Sequence, residues 1–177
     1  MFPGPFSSSL AGKALKQGKI EFNIINIRDY AEDKHKTVDD TPYGGGAGML
    51  MRPDIIAKAL DNNKINKENS KLIYPSPRGG LLNQGLVEDF SSVSEVTLLC
   101  GRYEGVDQRV LEEYGFEEIS IGDYILSGGE IAAYTIIDAC IRKINSVIGN
   151  ALTHDEESFG NGIYSHLLEY PQYTKPS

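Results

Sequence analysis

Ser120-Ile121-Gly122-Asp123-Tyr124-Ile125-Leu126-Ser127-Gly128-Gly129-Glu130 is an apolar loop with glycine near both ends. It contains neither lysine nor arginine, so it can enclose a flat ligand but cannot neutralise a phosphate. Ahead of it, Phe116 to Ile121 reads as a buried strand. Behind it, Glu130 to Ile144 reads as the longest helix, with Ile131, Tyr134, Thr135, Ile137, Ile141 and Ile144 forming its apolar set and Asp138 and Arg142 together at i, i+4 spacing. The unit is strand, loop, helix, and it decides the fold because it recurs.

Two earlier units have the same order. Lys71 to Tyr74 is a short strand, followed by the loop Tyr74-Pro75-Ser76-Pro77-Arg78-Gly79-Gly80 and a helix that Asn83 can cap, running through Phe90. Glu95 to Cys100 is the next strand, followed by Cys100-Gly101-Arg102-Tyr103-Glu104-Gly105 and a helix from Gly105 to Tyr114 that Gly115 closes. This alternation predicts an α/β domain with a parallel sheet flanked by helices. Ligands of such sheets bind beyond the carboxyl ends of the strands, so three loops of one character predict one shared pocket.

Further towards the N-terminus, Pro53 to Leu60 reads as a helix and Ile20 to Ile27 as a strand. Between them, Arg28 to Leu50 has no sustained period, and Thr41-Pro42-Tyr43-Gly44-Gly45-Gly46-Ala47-Gly48 is too rich in glycine for helix or central strand. A structureless stretch of about twenty residues inside a compact domain usually signals function. After Gly149 the periodicity ends, and Asn150 to Gly162 reads as a polar linker.

With 177 residues, 40% of them apolar and 24% charged, the composition suits one soluble globular domain. No run approaches a membrane span and no signal-peptide pattern opens the chain, so a cytoplasmic location and no membrane partner are expected. Cys100 and Cys140 lack CxxC spacing and read as free thiols; His35, His154 and His166 are scattered, and no metal site is indicated. The net charge of −8 is uneven, with 12 Lys/Arg against 11 Asp/Glu up to residue 90 and 5 against 14 beyond it. A polyanion should meet the first half, where Arg28, Lys34, His35, Lys36 and Arg52 form the local basic patch; a solvated charged face is the alternative.

The glycine run Gly44 to Gly48 lacks the GK[ST] ending of a phosphate loop, which argues against a nucleotide hydrolase, and reads either as a close-approach surface or as an ordinary turn-rich loop. No serine stands in GxSxG, and Asp39-Asp40 reads as solvated, with cation binding as the alternative. Arg142 and the acidic run Asp155-Glu156-Glu157 are the polar features left over. On their own they read as surface charges.

Together these stretches resemble the bacterial tRNA (guanine-N1)-methyltransferases of the SPOUT class. The likeness runs in order over nearly the whole chain: Lys36 to Met49, Cys100 to Gly105, Ser120 to Glu130, and Tyr170-Pro171-Gln172-Tyr173-Thr174-Lys175-Pro176. It implies a deep trefoil knot in the C-terminal half of the sheet, an exception to the unknotted-chain rule. It also implies S-adenosylmethionine as methyl donor, contacted by Tyr74, Ser76 and Pro77, by Gly101, Tyr103 and Glu104, and by Ile121, Gly122, Asp123, Tyr124, Ile125, Leu126, Gly128 and Gly129. A magnesium requirement is left open.

The substrate so implied is N1 of guanosine 37 in tRNA. The family's arginine, which stabilises charge at O6, falls on Arg142, and its aspartate base falls on Glu157, with Asp155 as a substitute. A homodimer with the active site at the subunit interface is expected. By the same resemblance, residues 1–148 form the knotted cofactor-binding domain without the first strand that relatives carry. Residues 149–163 are then the interdomain linker, and 164–177 begin a C-terminal tRNA-binding domain that is otherwise absent. On that ground a non-catalytic S-adenosylmethionine- or RNA-binding remnant is the alternative function. Ala132 replaces a proline of the relatives' cofactor loop.

Overall fold

A computed structural model of the chain describes residues 2–68, 70–144, 147, 158–159 and 168–175. In chain order its elements are α1 (Ser9–Lys16), β1 (Asp39–Asp40), β2 (Leu50–Met51), α2 (Pro53–Asn62), β3 (Lys71–Leu81), α3 (Gln84–Ser91), β4 (Val96–Leu98), α4 (Gln108–Tyr114), β5 (Glu117–Ser120) and α5 (Glu130–Lys143). Strands β3, β4 and β5 form a parallel sheet in the spatial order β4-β3-β5. The expected α/β architecture with flanked parallel strands is present.

The period-two alternation of β3 sets the layers. Leu72 and Tyr74 join one core with Ile56 and Leu60 of α2 and Val110 and Leu111 of α4. Ile73 joins the other, with Phe90 of α3, Ile119 of β5 and Ile136 of α5. The helices after β3 and after β4 therefore lie on opposite faces, and the carboxyl edge between these strands is a switch point of the kind that binds ligands. Local chemistry fixes the helix ends: the Asn83 side chain accepts from the Leu86 N–H at 3.0 Å, Asp107 accepts from the Arg109 N–H at 3.0 Å, and Gly115 N–H donates to Leu111 O at 3.0 Å.

Several expectations need correction. Ile20 to Ile27 is not a strand: it has no pairing partner among the described residues, and Ile27–Tyr30 is a 3-10 turn. Its apolar residues are used differently, with Ile20 and Phe22 packed near Phe6. The strand from Lys71 does not stop at Tyr74, since β3 runs on to Leu81 with Pro75 and Gly80 both opposite Ile119. The first loop is thus a wide bulge within one strand.

Helix α1 had no signal in the periodicity, because Gly12 and the run of serines before it are poor helix formers. It packs through Ala11 and Ala14, with Phe6, on the stripe of Tyr134, Ile137 and Ile141 of α5 and on Ile144 just after it. The sheet-facing side of α5 is instead Ala133 and Ile136, both 0% exposed, while Ile131 is 53% exposed. The boundaries expected at 148/149 and 163/164 lie outside the described residues.

Candidate functional site

The three strand-end segments converge. Gly129 N–H donates to Gly101 O at 2.9 Å, which joins the second loop to the third. A Cβ on Gly129 would stand 3.0 Å from Cys100 Cα, so a side chain there would need the two loops to part by a few tenths of an ångström. The Tyr74 hydroxyl reaches under Gly101 and Gly105, and Leu82 N–H donates to Ser120 O at 2.8 Å, which ties the end of β3 to the third loop. The buried Ser76 hydroxyl accepts from Arg78 N–H at 3.2 Å and shapes the bulge. In the third loop the Ser120 hydroxyl accepts from Gly122 N–H, and Tyr124 Oη donates to Ile121 O, each at 3.2 Å.

The glycine-rich loop is strapped to the same place. Glu104 N–H donates to Met49 O at 2.9 Å, Met51 N–H to Gly105 O at 2.9 Å, and Asp107 N–H to Met51 O at 3.3 Å. Gly48, at φ +88°, lies so near Glu104 that a Cβ would meet its Cγ. A side chain there would push Glu104 aside. Asp39 and Asp40 pair antiparallel with Met51 and Leu50, closing the base of the loop, and Tyr43 stands fully exposed at its tip.

Electrostatically the site is muted. Arg102, a cation within the second loop, is held by Glu130, with Nη2 at 2.7 Å and Nε at 2.9 Å from Oε1. Burial pushes the Cys100 thiol up to about 12, with Glu130 adding to the shift and Arg102 opposing it. Burial likewise raises the Tyr74 phenol, against a hydrogen bond from the Val106 backbone. Both groups are neutral at pH 7. Tyr124, Ile125 and Leu126 are 54%, 82% and 37% exposed, an apolar rim beside glycine backbone. Such a lining suits a flat ligand and does not fit a triphosphate.

Two surface clefts open elsewhere, one along Gln108, Glu112 and Glu118 and one along Asp61, Lys64 and Tyr114. Neither is lined by the three loops, whose site is defined by their convergence. No group of three or more His, Cys, Asp or Glu arranged to hold a metal occurs among the described residues. Among them, too, no helix is long and apolar enough to cross a membrane.

The expected residues divide into three sets. Tyr74, Ser76 and Pro77, Gly101, Tyr103 and Glu104, and the Ile121 to Gly129 positions lie on the converging segments. Arg142 sits in the last turn of α5, twelve residues past Glu130 and so roughly 18 Å along the helix axis from the end of the third loop. Glu157 and Asp155 lie outside the described residues. The basic patch is partly spent internally, since Arg28 donates to Lys36 O and Tyr103 Oη, Lys36 lies 3.7 Å from Asp29, and Arg52 grips Asp54 at 2.7 Å. The Arg102–Glu130 and Arg28–Tyr103 contacts were not foreseen. Their partners are 28 and 75 positions apart, and no spacing rule connects them.

The sequence model of the family described as tRNA (Guanine-1)-methyltransferase TrmD matches residues 1–177. Among curated proteins, the tRNA (guanine-N(1)-)-methyltransferase of Ehrlichia canis (strain Jake) is 52% identical over 177 residues, covering 100% of this chain and 74% of its own. The protein of the same name from Wolbachia pipientis subsp. Culex pipiens (strain wPip) is 54% identical, covering 99% and 75%. That of Pelagibacter ubique (strain HTCC1062) is 51% identical over 175 residues, covering 99% and 74%.

Proposed function

The chain belongs to the tRNA (guanine-1)-methyltransferase family, and from that premise we propose that it transfers a methyl group from S-adenosylmethionine to N1 of guanosine 37 in tRNA. The convergence of the three strand-end segments carries the cofactor part of this reading. Residues of β3 from Tyr74 to Pro77, the Gly101–Glu104 loop and the Ile121–Gly129 loop would hold the cofactor, with backbone groups for the adenine edge and the Tyr124–Leu126 rim for its faces. When bound, it supplies a methyl group made electrophilic by a sulfonium. Cys100 and Tyr74 are neutral, and the two cations of these segments, Arg78 and Arg102, are each paired with a carboxylate, Glu118 and Glu130.

Guanine N1 carries a proton at neutral pH, so a base must remove it before or as the methyl arrives. In our reading the Glu157 carboxylate accepts that proton, and the Arg142 guanidinium donates to O6, where negative charge gathers. Both assignments come from the family likeness. By the same likeness the site is completed across a homodimer interface, with Arg142 and the knot of one subunit facing the linker carboxylate of the other.

The same reading includes the trefoil knot, a knotted domain to residue 148, a linker over 149–163 and a tRNA-binding segment from 164, acting in the cytoplasm. Magnesium is given no step. The test is to incubate the protein with methyl-labelled S-adenosylmethionine and tRNA bearing G36-G37, then to analyse nucleosides. The reading expects 1-methylguanosine at position 37 and none in tRNA with adenosine there. Label on another base, or none, overturns it.

A further inference from the structure

Five described non-glycine residues have positive φ: Ser9, Lys36, Lys64, Tyr103 and Phe159. Residues other than glycine avoid this region because Cβ crowds the backbone, and they persist there only where their surroundings hold them. Two of the five are held by one side chain. Arg28 donates from Nη1 to Lys36 O at 3.0 Å, where φ is 52°, and from Nη2 to Tyr103 Oη at 3.3 Å, where φ is 60°.

Arg28 itself is well anchored. It lies in the 3-10 turn Ile27–Tyr30, whose cap Asn26 accepts from the Arg28 N–H at 3.2 Å. Ile27 beside it packs into the cores around Ile56 and Ile55. Tyr103 has no comparable anchor, being 49% exposed in a loop whose backbone is fixed on either side, by Met51 Sδ at Arg102 N–H and by Met49 O at Glu104 N–H. Packing therefore does not fix its ring. A planar guanidinium with several donors in fixed directions can set two acceptors relative to one another, which a lysine ammonium cannot.

We propose that Arg28 is a positioning residue for the site, holding the Tyr103 ring by its hydroxyl and the Lys36 backbone by its carbonyl so that the Gly101–Glu104 loop is presented ready to receive its ligand. The proposal rests on the reading that this loop holds the cofactor. It adds a residue that touches no ligand and acts through Tyr103.

The experiment has two arms. In the first, deuterium exchange of the ligand-free protein compares wild type with Arg28→Ala and Arg28→Lys. Faster exchange at Arg102–Gly105 and Thr37–Val38, with the sheet amides unchanged, is expected. Wild-type exchange in both variants overturns the proposal, whatever the protein binds. In the second arm, calorimetry with S-adenosylmethionine compares Arg28→Ala, Tyr103→Phe and the double variant. A loss of about tenfold in affinity is expected for each single change, of the size that one hydrogen bond to a charged group contributes, with no further loss in the double variant. Additive losses, or wild-type affinity in Arg28→Ala, contradict it. Failure of the wild type itself to bind S-adenosylmethionine would instead refute the cofactor reading, and the exchange arm would still decide Arg28.

Discussion

Cys100 stands at the junction of β4 with the second loop, and its thiol is pushed up to about 12 by burial. At pH 8 the reactive thiolate is then roughly one part in ten thousand, against about a quarter for a free cysteine. Alkylation of Cys100 by iodoacetamide, followed by peptide mapping, should therefore run roughly a thousandfold slower than for a free thiol; a rate near that of free cysteine would contradict the burial account. A second prediction concerns Asp33, whose carboxylate is held below its ordinary 3.8 by the Thr37 hydroxyl first and the Thr37 N–H next. A carboxylate with a folded pKa below its unfolded one adds stability above the unfolded value, and that stability is lost as pH falls through the folded value. Asp33→Asn should lose stability less steeply than wild type on acidification below about pH 4. Equal acid slopes in the two proteins would refute this.

At the scale of elements, the bulge in β3 carries the sharpest constraint. A Cβ on Gly79 would overlap the Glu118 carbonyl carbon, and two backbones cannot both give way cheaply. Gly79→Ala should destabilise by about 1–3 kcal/mol and lower Tm by a few degrees for each of these; an unchanged melting curve would show that the bulge relaxes freely. The elements also show where sequence reasoning succeeds. Asn83, Gly115 and the apolar runs at β3, β4 and β5 act within a few residues of themselves, so caps and strands were legible. Ile20 to Ile27 was not, because a strand exists only with a partner, and alternation along one segment says nothing of pairing. The second and third loops were legible because each is contiguous, whereas the first is a bulge within β3 that only pairing with β5 reveals. The pairs that tie them, Arg102 with Glu130 and Arg28 with Tyr103, exist only once the chain has folded.

For the whole molecule, the proposed dimer is a functional matter because it would bring Arg142 of one subunit to Glu157 of the other. If Arg142 of one subunit works with Glu157 of the other, neither Arg142→Ala nor Glu157→Ala should transfer methyl groups alone. Mixing and refolding the two should restore about a quarter of wild-type activity, because half the dimers would be mixed and one site of two in each would be intact. No recovery on mixing would place both residues in one subunit's site. The central claim is that the converging segments form the cofactor cradle, and the most direct measurement is hydrogen exchange with and without S-adenosylmethionine. The account predicts slowed exchange together in Tyr74–Arg78, Gly101–Gly105 and Ile121–Gly129. Slowing confined to Gly44–Gly48, or to the cleft beside Tyr114, would contradict it.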